Sequence, residues 1–97
     1  MNPTVVIIAR WVALPGKAAD VAHWLEHAVK AARQEPGCLR YQVHRGLDNA
    51  NLFVLYEEYV DAAAHQAHIS STAFQQIVLG QIVPLLAERQ VDRLQAE

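Results

Sequence analysis

The sequence predicts an α+β fold of the ferredoxin-like type, a single split βαβ unit with the element order β-α-β-β-α-β. Three observations predict it. Alternating runs rich in β-branched and aromatic residues recur at 4–14, 38–47 and 52–60, one long amphipathic stretch at 17–34 separates the first from the second, and Pro15-Gly16, Glu35-Pro36-Gly37 and Asp48-Asn49-Ala50-Asn51 punctuate them.

The first strand, Thr4 to Leu14, ends at the Pro15-Gly16 turn signal. In the helix from Lys17 to Gln34, Val21, Trp24, Leu25, Ala28 and Ala32 fall on one stripe. Glu35-Pro36-Gly37 ends it, because proline disfavours helical geometry in the preceding residue and glycine supplies a permissive backbone beyond. Strands at Cys38–Leu47 and Leu52–Val60 flank a turn-tolerant tetrad and should pair as an antiparallel hairpin. Asp61 is a good N-cap for a short helix, Ala62 to Ile69. Ser70-Ser71-Thr72 breaks the pattern and can cap another helix, Ala73 to Val78; Gly80 and Pro84 then bracket a connection to a last strand, Glu88 to Leu94. No repeat or linker divides the chain, so residues 1–97 read as one domain.

A chain of 97 residues has a thin core, burying about 60–65% of the surface its unfolded form exposes. Eight Lys and Arg against ten Asp and Glu, without runs of either sign, exclude the basic face that nucleic acid or an anionic membrane requires. Met1 to Leu14 lacks a basic leader, and no run approaches the ~20 apolar residues of a membrane span. The lone Cys38 agrees with a reducing compartment. The expectation is a cytoplasmic protein. Assembly follows from the first strand: Val5, Ile7, Ala9 and Trp11 occupy one face, and Val6, Ile8, Val12 and Leu14, interrupted by Arg10, the other. Helices can cover only one side of a four-stranded sheet, so the patterning predicts a homodimer through the opposite sheet face.

Chemistry concentrates between residues 53 and 74. Glu57 shares a strand face with Phe53, Leu55 and Tyr59, so its carboxylate would be buried among apolar groups and must find a partner or change its pKa. His68 follows Ala64 by four residues and His65 by three, so these share a helix face, and an imidazole can exchange protons near neutral pH. The plainer readings are a backbone-bonded His68, a solvated His65 and a structural anchor at Glu57. Tyr41 and Tyr56 on neighbouring strands, with Trp11 and Phe53, can wall a site for a flat ring, or simply form the core. Glu58, Arg40 and His44 read as rim or interface groups. His23 and His27 have a zinc-compatible spacing, but they lie on the polar helix face without a His-Glu-x-x-His motif. Cys38 reads as a buried small hydrophobe. The chain carries no phosphate loop or nucleotide fingerprint, so no metal or cofactor is expected.

Tyr59-x-Asp61-x-x-Ala64-x-x-x-His68-x-x-Ser71-x-x-Phe74, with Glu35-Pro36-Gly37-Cys38-Leu39-Arg40-Tyr41 upstream, resembles the antibiotic biosynthesis monooxygenase family over Val5 to about Val91. That family comprises small dimeric α+β barrels and includes quinol monooxygenases of the YgiN type, isomerases and haem-degrading enzymes. The resemblance implies a pocket histidine at His68 and a hydrogen-bonding glutamate at Glu57. It implies a cofactor-independent monooxygenase acting on a small aromatic, quinol or polyketide-like substrate, with His68 as base, Glu57 as its partner, and Tyr41, Phe53, Tyr56, His65 and Trp11 around the substrate. An isomerase of a small oxygenated metabolite and a non-catalytic dimeric ligand-binding domain remain alternatives. The haem degraders carry a ligating histidine beyond the Phe74 position and a tryptophan near the His68 position; this chain has Val78 and His68 there.

Overall fold

The structure, a computed structural model, describes residues 3–97; Met1 and Asn2, the start of the stretch expected to lack a basic leader, lie outside the described residues. Its elements are β1 (Val5–Ala13), α1 (Ala18–Arg33), β2 (Cys38–Arg45), β3 (Leu52–Tyr59), α2 (Ala62–Ser70), a π-helical segment (Phe74–Ile82), a 3-10 turn (Val83–Leu85) and β4 (Leu86–Gln95). The four strands form one sheet of order β2-β3-β1-β4 with every ladder antiparallel. This is the ferredoxin-like α+β arrangement that the element order predicts.

Strand alternation decides what faces the helices. Ile7, Ala9, Trp11 and Ala13 of β1 and Phe53, Leu55, Glu57 and Tyr59 of β3 are all buried, whereas the residues between them are half-buried or exposed. Val21, Leu25, Ala28 and Ala32 of α1 meet that face, with Trp24 at the edge of the stripe and only partly covered. The other sheet face carries Val6, Ile8, Val12, Val54 and Tyr56, half-buried with no layer over them. No helix among the described residues is long and apolar enough to cross a membrane.

The region after α2 departs from expectation. Ser71 breaks the helix as anticipated: its hydroxyl donates to the His68 carbonyl (2.7 Å) and accepts from the Phe74 amide (3.1 Å). The helical chain then runs through Gly80 to Leu85 instead of stopping at Val78, and β4 begins at Leu86 rather than Glu88. Packing overrides the glycine. Val78 and Ile82 are fully buried, and this outweighs the roughly 0.5–1 kcal/mol that glycine costs a helix. Pro84 sits in the first positions of the 3-10 turn, where its missing amide breaks no helical bond.

The two turns flanking α1 use glycine differently. Gly16 holds φ at 78°, the left-handed geometry expected of a Pro-Gly turn. Gly37 has no such φ; a Cβ at this position would instead sit on the Cβ of Ala64. The α1–β2 turn and α2 therefore touch backbone to side chain, fastened by the Val60 amide donating to the Gly37 carbonyl (2.9 Å). Gly37→Ala should lower unfolding free energy by about 1–3 kcal/mol through overpacking, and Ala64→Gly in the same chain should recover part of that loss. Urea melts of the single and double variants measure the coupling; independent, additive losses would rule out the close approach.

Candidate functional site

Asp61 starts α2 by accepting the Ala64 amide at 2.8 Å, and the helix then presents His65 and His68 to the sheet. Both are buried, at 5% and 6% exposure, so His65 is not the solvated residue its polarity suggested. Tyr59 packs against both rings, with centroids at 5.1 and 5.2 Å. Phe74 meets His68 edge-on at 5.2 Å.

His68 lies between two carboxylates. Its Nδ1 is 2.8 Å from Glu35 Oε1 at the end of α1, and its Nε2 is 3.8 Å from Glu57 Oε1 on β3. A carboxylate oxygen accepts, so the short contact places the proton on Nδ1 and leaves Nε2 as the basic nitrogen, turned toward Glu57. Glu57 Oε1 in turn accepts the Tyr59 hydroxyl at 2.7 Å. Burial raises the Glu57 pKa above its ordinary value, and the Tyr59 hydrogen bond and nearby His68 restrain that rise. Burial, followed by the Glu57 charge, holds the Tyr59 hydroxyl well above its usual range, so it stays a donor.

These groups border a cavity of about 260 Å³ between the sheet and α2, lined by Trp11, Glu57, His65, His68, Phe74 and the inner face of β4. Since a closed apolar cavity of about 150 Å³ accommodates benzene, the space suffices for one substituted aromatic ring. Among the described residues, two buried side-chain polar atoms have no partner, Trp11 Nε1 and His65 Nδ1, and both belong to cavity-lining side chains. His65 has its pKa lowered by burial first and then by Arg93 and His68, which favours the neutral ring. A larger hollow of about 460 Å³ lies between α1 and β2, open to solvent and without a buried titratable side chain.

The expected residues separate accordingly. His68, Glu57, His65 and Trp11 come together at the cavity. Tyr41 is buried behind His68, centroids 5.9 Å apart, facing a much smaller void beside Glu35 rather than the cavity. Phe53 floors the α1–β2 hollow, with the Arg45 guanidinium 4.5 Å over its ring. Tyr56 does not reach the site: adjacent to Glu57 on β3 it points to the opposite sheet face, where its hydroxyl donates to Glu58 at 2.9 Å and Glu58 pairs with Arg40 at 3.5 Å. Cys38 is only partly buried; its thiol donates to the Arg40 carbonyl and is pushed up to about 11, by burial and then by Glu35 and Glu57. His23 and His27 pack edge-on against each other and beside Trp24 on the outside of α1. Sequence reasoning missed Glu35, read only as a helix terminus, and Arg89 and Arg93 of β4. The one available signal was Glu35 preceding Pro-Gly, a position that tertiary docking can bring anywhere.

Fold and site together define a small ferredoxin-like α+β protein with a histidine–carboxylate cluster against an aromatic-sized cavity. The family model for antibiotic biosynthesis monooxygenases matches residues 4–78, and the chain belongs to that family. Among solved structures it is similar to PA3566 from Pseudomonas aeruginosa (30% identity, 100% of this chain and 97% of that one, TM-score 0.90). It is also similar to Rv0793 from Mycobacterium tuberculosis (25% identity, 97% and 95% covered, TM-score 0.89). A third similar structure is called simply antibiotic biosynthesis monooxygenase (26% identity, 96% and 98% covered, TM-score 0.89). No curated protein matches the chain.

The raised Glu57 pKa has a sign consequence for stability. The native state holds this proton more tightly than the unfolded chain, so the contribution is complete below the ordinary value of 4.5 and is lost as pH rises through the native pKa. Wild type should therefore lose stability relative to Glu57→Gln as pH climbs above 4.5. Paired urea titrations from pH 4 to 8 measure this; a pH-independent difference between the two proteins would contradict it.

Proposed function

We propose that this protein is a cofactor-independent monooxygenase that oxidises a small phenol, quinol or polyketide-like aromatic with molecular oxygen. The observation that carries the reading is the arrangement of His68, with Nδ1 committed to Glu35 and Nε2 turned toward Glu57, at the wall of a ring-sized cavity. Family membership and a similar structure named as a monooxygenase support the same class. His68 Nε2 is the base that takes the phenolic proton, and the imidazolium formed is stabilised by the carboxylates on either side. The arenolate passes one electron to oxygen, and the resulting radical pair joins at an open ring carbon as a peroxide. The His68 proton returns to the peroxide, and loss of the ring hydrogen with the outer oxygen as water leaves a quinone. A phenol and one dioxygen thus give one quinone and one water, with no external reductant. Trp11, His65 and Phe74 border the ring.

The reading includes a homodimer through the uncovered sheet face, supported by the half-buried apolar set Val6, Ile8, Val12 and Val54, which no helix covers.

Oxygen uptake with a hydroquinone and phenol panel, corrected for autoxidation, should saturate for the wild-type protein. His68→Ala should lower kcat/KM by about 10²–10⁴-fold, as expected for loss of a general base. Uptake no faster than the blank across the panel would refute the monooxygenase; turnover without oxygen consumption would point to proton transfer alone. Sedimentation should give a dimer for wild type and a monomer for Ile8→Asp, while a wild-type monomer would dispose of the sheet-face assembly.

A further inference from the structure

The wall of the cavity opposite α2 belongs to β4, and its register gives the cavity two unlike ends. Across the helix-side face, Phe53, Trp11 and Arg89 lie in one cross-strand row, and Glu57, Ile7 and Arg93 in another. The row between them is wholly apolar: Leu55, Ala9 and Val91. Arg89 and Arg93 line the cavity, and among the described residues neither is within ion-pair distance of a carboxylate. On the opposite sheet face, by contrast, Arg10 pairs with Glu88 and Arg40 with Glu58. At the Arg89 end the Trp11 indole, 3% exposed, has its Nε1 without an acceptor. An indole N–H only donates, and leaving it buried and unmet costs about 1–3 kcal/mol, so the atom calls for an acceptor brought in from outside. At the other end lie Arg93, His65, His68 and Glu57.

We propose that the cavity selects hydroxylated aromatic carboxylates, with the carboxylate accepting from Trp11 Nε1 and pairing with Arg89, and the phenolic oxygen at the His68 end. This rests on the reading of the cavity as the substrate site. Rows four residues apart along a strand are separated by about 13 Å between Cα atoms. Two side chains reaching inward from such rows leave a span suited to one benzene ring with polar groups at opposite ends. The same separation keeps the ligand carboxylate away from Glu57. The apolar central row and Phe74 take the faces of the ring, which is why a flat arene rather than a sugar acid fits.

Anaerobic calorimetry with 4-hydroxybenzoate and its neutral counterpart 4-hydroxybenzyl alcohol tests this, with the imidazole resonances of His65 and His68 reporting where each binds. The acid should bind about five- to tenfold more tightly at low salt. Arg89→Met should erase most of that preference while leaving the alcohol's affinity within about twofold, and Trp11→Phe should narrow the ratio between acid and alcohol. Arg10→Met, on the far face, should leave the preference intact. If both compounds perturb the histidines and bind equally, or if the acid keeps its advantage in Arg89→Met, the carboxylate anchor is wrong and the site reading survives. If neither compound perturbs the histidines, the site reading fails and the inference with it.

Discussion

Burial of the Glu57 carboxylate is the constraint around which this small protein is organised. At 5% exposure it lies on the helix-covered side of β3, where removing a charge from water costs several kcal/mol unless partners replace the lost solvent. Strand periodicity supplies the first partner, since Tyr59 stands two residues along on the same face and donates its hydroxyl to Glu57. The second, His68, must come from another element, and α2 brings it. His68 in turn requires something at Nδ1, and Glu35 meets that need from the end of α1. One buried charge thereby fixes the relative positions of β3, α2 and the α1–β2 turn, and the absence of a side chain at Gly37 allows them to close. The same chain of contacts orients the imidazole, so the fold's electrostatic requirement and the site's geometry have one solution.

The cavity follows from uneven coverage of the sheet. α1 packs toward β2 and the π-helical segment, and α2 rests on β3, which leaves a cavity between α2 and the inner side of β4. The residues of β4 are almost all exposed on both faces as a consequence. Its inward-facing arginines sit in water at the rim rather than in the core, which makes two unpaired guanidinia tolerable in so small a domain. The uncovered sheet face has the opposite character, apolar in the centre and edged by paired charges.

Legibility in the sequence followed the range of the interaction. The hairpin, the Asp61 cap and the Ser71 break are local hydrogen-bond chemistry and can be read from a few residues. So can the inward direction of Glu57, because alternation along β3 is unbroken. Tyr56 and Tyr59 show where such reading must be strict: one residue of offset sends Tyr56 to the far sheet face, and two bring Tyr59 onto the Glu57 carboxylate. Phe53 faces the helices as its parity requires, yet α1 claims it for a different hollow. Glu35 was illegible because its contact spans 33 positions of sequence. The long π-helical segment was equally hidden, since local signals at Gly80 and Pro84 argued for a break that burial of Val78 and Ile82 overrode.

The amino-acid sequence by itself determined the element order, the faces of the strands, the family pattern and the presence of a buried carboxylate with histidines on the following helix. These depend on periodicity and on backbone chemistry within a turn or two. Only the tertiary structure decided which carboxylate meets His68 Nδ1, which aromatic donates to Glu57, and that β4 lends arginines to the cavity. Such choices arise where elements distant in sequence dock, and docking is set by the packing of whole faces against one another, a property no local window contains.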